Sequence, residues 1–296
     1  MKKHMSSSIG EQIFKWFNFA LLTVYCFSLL LVLFWLVYTS LKSNSEYIYS
    51  TFSFPKRLEF KNYSEAFIKM RTPITVPQGV VSIGIGEMAF NSVIRSFSCS
   101  LIIVFCTTCV AYVVGMYDFK GRNFIFNLGI VVMILPIIGS LPSAMMIRKN
   151  LGIYDNMLLY ILTCPSNVFG MNFLILIGAF KSLPKAYKES AQIDGAGHHA
   201  IFYRIYLPMI LPTCAVLFIL QFLGSWNDYM TPMIWLPSYP NLAYGMYYFE
   251  RNAQVYEANV PTILAGFTIV MIPTTIIYIF SQKLIVSKFT VGGLKG

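Results

Sequence analysis

This chain of 296 residues is 56% hydrophobic and 11% charged, with a formal net charge of +10. A soluble domain carries about 25% charged residues, so the composition excludes an ordinary soluble fold. The bases are dispersed and form no basic stripe with interleaved aromatics, which excludes a nucleic-acid-binding surface.

Six stretches are apolar enough to cross a hydrocarbon core, which takes roughly 20 helical residues. They lie near 17–41, 92–116, 124–147, 156–180, 212–234 and 261–281. Without water the backbone must satisfy itself, and no alternating strand pattern is visible. The expected fold class is therefore an all-α polytopic membrane protein with six transmembrane helices in a single domain.

The first run follows Lys2, Lys3 and Lys15 and ends in Tyr38-Thr39-Ser40-Leu41-Lys42. It is longer than the apolar region of a signal peptide and reads as a retained helix. Next comes a loop of more than 40 residues, from Lys42 to about Met88. Phe54-Pro55 and Phe60-Lys61-Asn62-Tyr63 predict a turn and a short amphipathic helix there. Arg95, near one end of the second span, is placed to snorkel to the interface. The loop at 117–123, Tyr117-Asp118-Phe119-Lys120-Gly121-Arg122, is short and turn-like and ties the second and third spans together as an antiparallel pair.

Lys and Arg counts orient the chain. With the N-terminus cytoplasmic, the inner segments hold twelve bases and four acids, and the outer ones ten bases and eight acids. Six of those outer bases sit in the one long loop, where the rule weakens. Both termini are thus expected in the cytoplasm. Cys26, Cys99, Cys106, Cys109, Cys164 and Cys214 all fall inside apolar runs and read as packing residues. Prolines at 136, 142, 165, 212, 261 and 273 mark the later spans and predict bent helices.

From Phe180 to Pro212 the apolar pattern breaks, leaving a polar segment, 181–211, outside the lipid. Ser182 is a candidate N-cap and Pro184 suits a first turn. Lys185 to Ile193 reads as a short helix and Asp194-Gly195-Ala196-Gly197 as its breaker. A second short helix is expected from about His198 to Tyr206, with Leu207-Pro208 leading back to the membrane. Small residues at Ser190, Ala191, Gly195, Ala196 and Gly197 would let another backbone come close. Glu189 and Asp194 could pair with its bases. Adjacent His198 and His199 point about 100° apart on a helix and make no metal pair.

The fifth span ends in Trp226-Asn227-Asp228. Fifteen helical steps of about 1.5 Å place Asn227 roughly 22 Å from Pro212, near the outer leaflet. The loop after it, Pro237 to Asn259, is rich in Tyr and Asn, including Tyr244 and Tyr247. A stacking face beside hydrogen-bonding groups suits a sugar, whereas an interfacial aromatic belt would explain the same residues. Trp226, Asn227, Asp228, Tyr244 and Tyr247 are the candidates for the substrate path or a binding-protein contact.

The chain contains no G-x-x-x-x-G-K-[ST] phosphate loop and no nucleophile–base arrangement, so no ATP site and no enzyme is expected. The spans carry no acid–His relay and no Arg-rich helix, which counts against proton coupling and voltage gating.

Glu189-Ser190-Ala191, Gly195 and Ile205-Tyr206-Leu207-Pro208 are spaced as in the cytoplasmic "EAA" loop of bacterial ABC-importer permeases. Ser190 departs from the Ala preferred there. With Asn62-Tyr63, Asn91-Ser92, Leu183-Pro184, Trp226-Asn227-Asp228 and the tail Gln282 to Gly296, nearly the whole chain resembles the smaller, maltose-type subunit of the carbohydrate-uptake permeases. The resemblance implies an importer subunit in the bacterial cell membrane, paired with a second homologous permease. It also implies two ATPase subunits that bind ATP and Mg, an extracellular sugar-binding protein, and no cofactor in this chain. Glu189, Ser190, Ala191, Asp194, Gly195 and Gly197 would dock the ATPase, and Lys288, Gly292 and Gly293 in the tail would touch it. A permease for another nutrient and a polytopic membrane enzyme remain the alternatives; the latter needs clustered acidic or His residues that the sequence lacks.

Overall fold

The computed structural model describes residues 9–135 and 139–289. They form two compact units, one of residues 1–70 and 249–271 and the other of residues 71–248 and 272–296.

The first unit begins with α1, Ile9–Ser40. This helix is apolar on all sides and its spanning stretch is not buried within the chain at all. Such a helix finds its partners in lipid or in another protein. Two short helices follow, α2 at Asn44–Tyr49 and α3 at Lys61–Lys69, the latter where the amphipathic helix was expected. Asn62 ties α3 to the end of α1 by donating to the carbonyls of Ser40 (2.8 Å) and Lys42 (2.7 Å). The Tyr63 hydroxyl meets Ser40 Oγ at 2.6 Å. Lys42 is fully buried, its ammonium satisfied by the carbonyls of Ser50 and Thr51.

The second unit opens with an antiparallel hairpin, β1 (Thr72–Val76) and β2 (Gly79–Ile83), in which Thr72 faces Ile83 and Val76 faces Gly79. An all-α reading misses it. The strands are short and β-branched, and Gly79, which opens β2 directly after the Pro77-Gln78 turn, has a φ of +132° that favours glycine. The helices that follow are α4 (Ile85–Met116), α5 (Arg122–Ile134), α6 (Leu141–Asn150), α7 (Met157–Thr163) and α8 (Met171–Lys181). Then come α9 (Ala186–Ile193), α10 (His198–Ile201), α11 (Leu207–Asn227), α12 (Met230–Trp235), α13 (Leu242–Arg251) and α14 (Val260–Phe289). The last two helices each run across the boundary between the units.

Among the described residues, four helical stretches are long and apolar enough to cross a membrane: Gly10–Ser40, Ile85–Met116, His198–Asn227 and Val260–Lys283. Hydropathy reads 124–147 and 156–180 as two further continuous runs, but each is broken. The first stops after Ile134 and resumes at Leu141, with Gly139 at φ +77° and Pro142 in the opening turn of α6. Pro136 lies outside the described residues. The second passes from α7 into a 3-10 turn at Cys164–Asn167, with Pro165 in its first turn, and restarts after Gly170. Proline suits the first turn of a helix because its missing N–H is not needed there.

The fifth span also differs. A π turn, Phe202–Tyr206, joins α10 to α11 without a break, and Leu207 N–H reaches back to the Phe202 carbonyl. Pro208 cannot donate to residue 204, and the wider turn absorbs that loss. The helix ends at Asn227 because Asp228 leaves the helical region and its carboxylate caps Thr231 N–H at 3.0 Å. Ser182 caps nothing ahead of it: it closes α8, its hydroxyl donating to the Ala179 carbonyl at 2.7 Å.

Candidate functional site

The polar segment after α8 folds as a helix, an elbow and a second helix. At the end of α9 the chain makes a Schellman closure. Ala196 N–H reaches the Ala191 carbonyl (2.9 Å) and Gly195 N–H the Gln192 carbonyl (3.1 Å), with Gly195 at φ +77° between them. That left-handed position is the one glycine fills without strain. Gly197 is ordinary extended backbone at φ −70°.

Of the residues expected to dock a partner, Glu189, Ser190, Asp194, Gly195 and Gly197 are exposed. Ala191 is only 7% exposed, packed into the chain's own core with Phe180, Ile201, Phe202 and Tyr206. Its small side chain lets α9 lie close against this chain's own core. Ile193 is the surprise, 86% exposed on an otherwise polar helix. The sequence places it at the end of the short helix Lys185 to Ile193 and assigns it no role of its own.

The elbow is stitched to the end of α4. Tyr112 is the hub, its ring 4.8 Å from Phe202, 5.4 Å from Phe180, 5.5 Å from Tyr117 and 5.6 Å from Tyr206. Lys188 places its ammonium over the Tyr117 ring at 3.8 Å, and the Tyr117 hydroxyl bonds His198 Nδ1 at 3.0 Å. The Tyr206 hydroxyl donates to the Pro184 carbonyl at 3.3 Å. These contacts join the elbow to α4 and α8 and to the turn that leads into α11. Tyr112 left no sequence signal, standing as one aromatic in an apolar run.

A second polar feature is a cavity of about 420 Å³ between α4, α6, α7 and the end of α11. Arg95 lines it and is 2% exposed, so it does not snorkel. Its guanidinium binds Asp228 Oδ2 at 3.2 Å, the Asp228 carbonyl at 3.1 Å and the Ser225 carbonyl. Arg148 lines the same space with Tyr160, Thr163, Gln221 and Ser225. Cys99 and Cys164 lie side by side in its wall, Sγ to Sγ 2.9 Å.

The outer candidates separate in the structure. Trp226 is buried and stacks on Phe222 at 5.7 Å, Asn227 is exposed and bonds back to the Leu223 carbonyl, and Asp228 holds Arg95. Tyr247 stacks on Tyr229 at 4.6 Å, and Tyr244 is half-buried. α13 is fixed to α4: Leu242 N–H donates to Ser92 Oγ (2.9 Å) and Asn91 Nδ2 to the Pro240 carbonyl (3.0 Å). Lys288 lies in α14 where its side chain is not described, and Gly292 and Gly293 lie outside the described residues.

Residues 107–291 match the family described as "Binding-protein-dependent transport system inner membrane component". The chain is 34% identical to the arabinooligosaccharides transport system permease protein AraQ of Halalkalibacterium halodurans, over 70% of this chain and 73% of that one. It is 25% identical to the diacetylchitobiose uptake system permease protein NgcG of Streptomyces coelicolor, over 97% and 91%. With the galactooligosaccharides permease protein GanQ of Bacillus subtilis the identity is 29%, over 95% of each. Among solved structures it superposes on a chain of a bacterial ABC transporter involved in import of the acidic polysaccharide alginate. The TM-score is 0.71 at 22% identity, covering 94% of this chain and 98% of that one.

Proposed function

Since this chain belongs to the family of binding-protein-dependent transport system inner membrane components, we propose that it is a permease subunit of an ATP-driven importer for a sugar or oligosaccharide. It forms half of the translocation path and is itself non-catalytic. The relatives named above, all permeases for oligosaccharide uptake, support the substrate class.

Six crossings follow when the broken runs are counted, α5 with α6 as the third and α7 with α8 as the fourth. Both termini then lie in the cytoplasm of a bacterial cell, where the short-loop bases concentrate. The α9–α10 elbow is the "EAA" coupling loop. It docks an ATPase subunit that binds ATP and Mg. A second homologous permease, two such ATPases and an extracellular sugar-binding protein complete the assembly. When the ATPase pair closes, it pushes on α9, and the Tyr112 hub passes the push to α4, α8 and α11. The path then switches between inward- and outward-facing arrangements.

The observation that carries this reading is Ile193, a large apolar side chain 86% exposed beside a rigid glycine elbow. A single exposed apolar side chain is ordinary on a protein surface; what points to a protein contact here is its place on the same short helix as Glu189-Ser190-Ala191, just before the Gly195 elbow. Ile193→Asp should leave the fold and membrane insertion intact while abolishing co-purification with the ATPase and sugar-stimulated ATP hydrolysis in the reconstituted complex. Full stimulation by the Ile193→Asp complex would refute the docking assignment.

A further inference from the structure

The cavity lined by Arg95 and Arg148 is unevenly charged. Among the described residues that line it, these two guanidinium groups face a single carboxylate, Asp228. Asp228 is spent on Arg95. The nearest alternative acid by sequence, Asp155, is occupied elsewhere, its two oxygens taking the N–H (2.9 Å) and hydroxyl (2.6 Å) of Ser238. Arg148 has no carboxylate within salt-bridge distance among the described residues. Its guanidinium lies on Trp235 at 4.4 Å and near Tyr160 at 5.4 Å. One of its terminal nitrogens is buried without a hydrogen-bond acceptor, and so is Nε of Arg95.

A guanidinium buried with a nitrogen unmet is costly unless an acceptor arrives. Its planar fork matches a carboxylate, which accepts two parallel N–H bonds. The aromatic rings hold that fork in one orientation, so little freedom is lost when it is engaged. Thr163, Gln221 and Ser225 add neutral hydroxyl and amide groups of the kind that meet sugar hydroxyls.

We propose that this cavity binds the carboxylate of an acidic oligosaccharide, with Arg148 as the group that receives it. The inference rests on the sugar-importer reading above and specifies its substrate as uronate-bearing. Arg95, already paired with Asp228, positions the end of α11.

The test uses the complete importer, with its binding protein and ATPase, in vesicles of zwitterionic lipid. Uptake is measured for galacturonate, glucuronate and mannuronate oligomers against neutral oligomers of the same length and linkage. The expected result is uptake of at least one uronate oligomer, lowered tenfold or more by Arg148→Gln and partly restored by Arg148→Lys. Quenching of tryptophan fluorescence by that oligomer should likewise weaken in Arg148→Gln, since Trp235 adjoins the site. Uptake confined to neutral oligomers would overturn the proposal and leave the sugar-importer reading standing. So would uronate uptake that Arg148→Gln leaves unchanged. Uptake of no saccharide, with transport of another nutrient, would overturn both.

Discussion

Arg95 on α4 and Asp228 just beyond α11 meet at 3.2 Å across 133 positions of sequence. Their side chains are unequally covered, 2% exposed for Arg95 and 31% for Asp228. The two losses should therefore differ. Asp228→Ala strands a buried guanidinium on backbone carbonyls alone, and breaking a buried pair in this way costs about 3–5 kcal/mol. Arg95→Met leaves only a partly wetted carboxylate and should cost less. In Arg95→Met/Asp228→Ala the loss should be smaller than the sum of the two single losses, because the charge has been removed from both sides. Thermal melts of the detergent-solubilised complex measure this cycle. Strict additivity would show that the ion pair contributes nothing.

Gly195 and Gly197 stand two residues apart in the elbow, yet only Gly195 has a positive φ, +77°. No neighbour lies within 4 Å of a Cβ built at either position, so backbone strain alone separates them. Gly195→Ala should cost about 1 kcal/mol and lower coupled transport. Gly195→Asn should be milder, because Asn tolerates the left-handed region, and Gly197→Ala should be nearly silent. Equal losses from the two alanine variants, read as melting temperature and uptake rate, would remove the elbow geometry from the explanation.

The elbow was legible in the sequence because it depends on local chemistry. A glycine after a short polar helix is a helix end wherever the helix packs. Hydropathy was less informative where backbone breaks matter, since it sums side chains and is blind to the end of α5 at Ile134 and the start of α6 at Leu141. The β1–β2 hairpin did leave a signal, β-branched residues on both sides of Pro77-Gln78-Gly79, but a short one inside a long loop. Arg95 and Arg148 were each visible as charges. Nothing local announces that Arg95 faces inward to Asp228 while Arg148 lies on the rings of Trp235 and Tyr160, because those relationships arise when distant helices pack.

Glu65 on α3 lies between Lys61 (3.3 Å) and Lys69 (3.1 Å). The hydrogen bond from Lys69 is the largest influence and, with Lys61, holds its pKa below the ordinary glutamate value against a smaller opposing effect of burial. A lowered folded-state pKa gives stability that is complete above the unfolded value, near 4.5, and fades as pH falls through the folded value. These are surface pairs, so the contribution is about 0.5 kcal/mol and weakens with salt. Glu65→Gln should flatten the acid limb of the melting curve below about pH 4.5 and change nothing at pH 7 beyond that small loss. An unchanged acid limb would mean that the pair contributes no pH dependence.

Gly129 on α5 faces two aromatic rings. A Cβ there would sit 2.9 Å from Phe169 Cδ1 and 2.9 Å from Phe173 Cε1. Phe173 is fully buried and cannot swing away. Gly129→Ala must therefore push α5 off α8, with an overpacking cost of about 1–3 kcal/mol. Gly121, by contrast, has open space around it, and a substitution there would be strained by its φ of +94° alone and not by crowding. A melt of Gly129→Ala that matches the parent would show that α5 does not pack on α8 in the membrane.

α13 decides whether the aromatic loop after the fifth span touches a docked binding protein. Asn241 and Met246 are buried and unsuitable as reporters, whereas Tyr244, Tyr247 and Tyr248 are half-buried and Glu250 is exposed. Asn241 caps α13 through Tyr244 N–H at 2.8 Å and reaches the Asp228 carbonyl at 3.0 Å. The start of α13 is therefore tied to the cavity wall, and a partner pressing on its tyrosines would act on Asp228 and Arg95. Single cysteines at 244, 248 and 250 should react readily with a membrane-impermeant maleimide in the resting complex. Trapping the binding protein on the complex with ATP and vanadate should slow labelling at least tenfold at 244 and 248 and less at 250. Labelling that is equal with and without the trapped partner would assign these tyrosines to the lipid interface and remove them from the transport path.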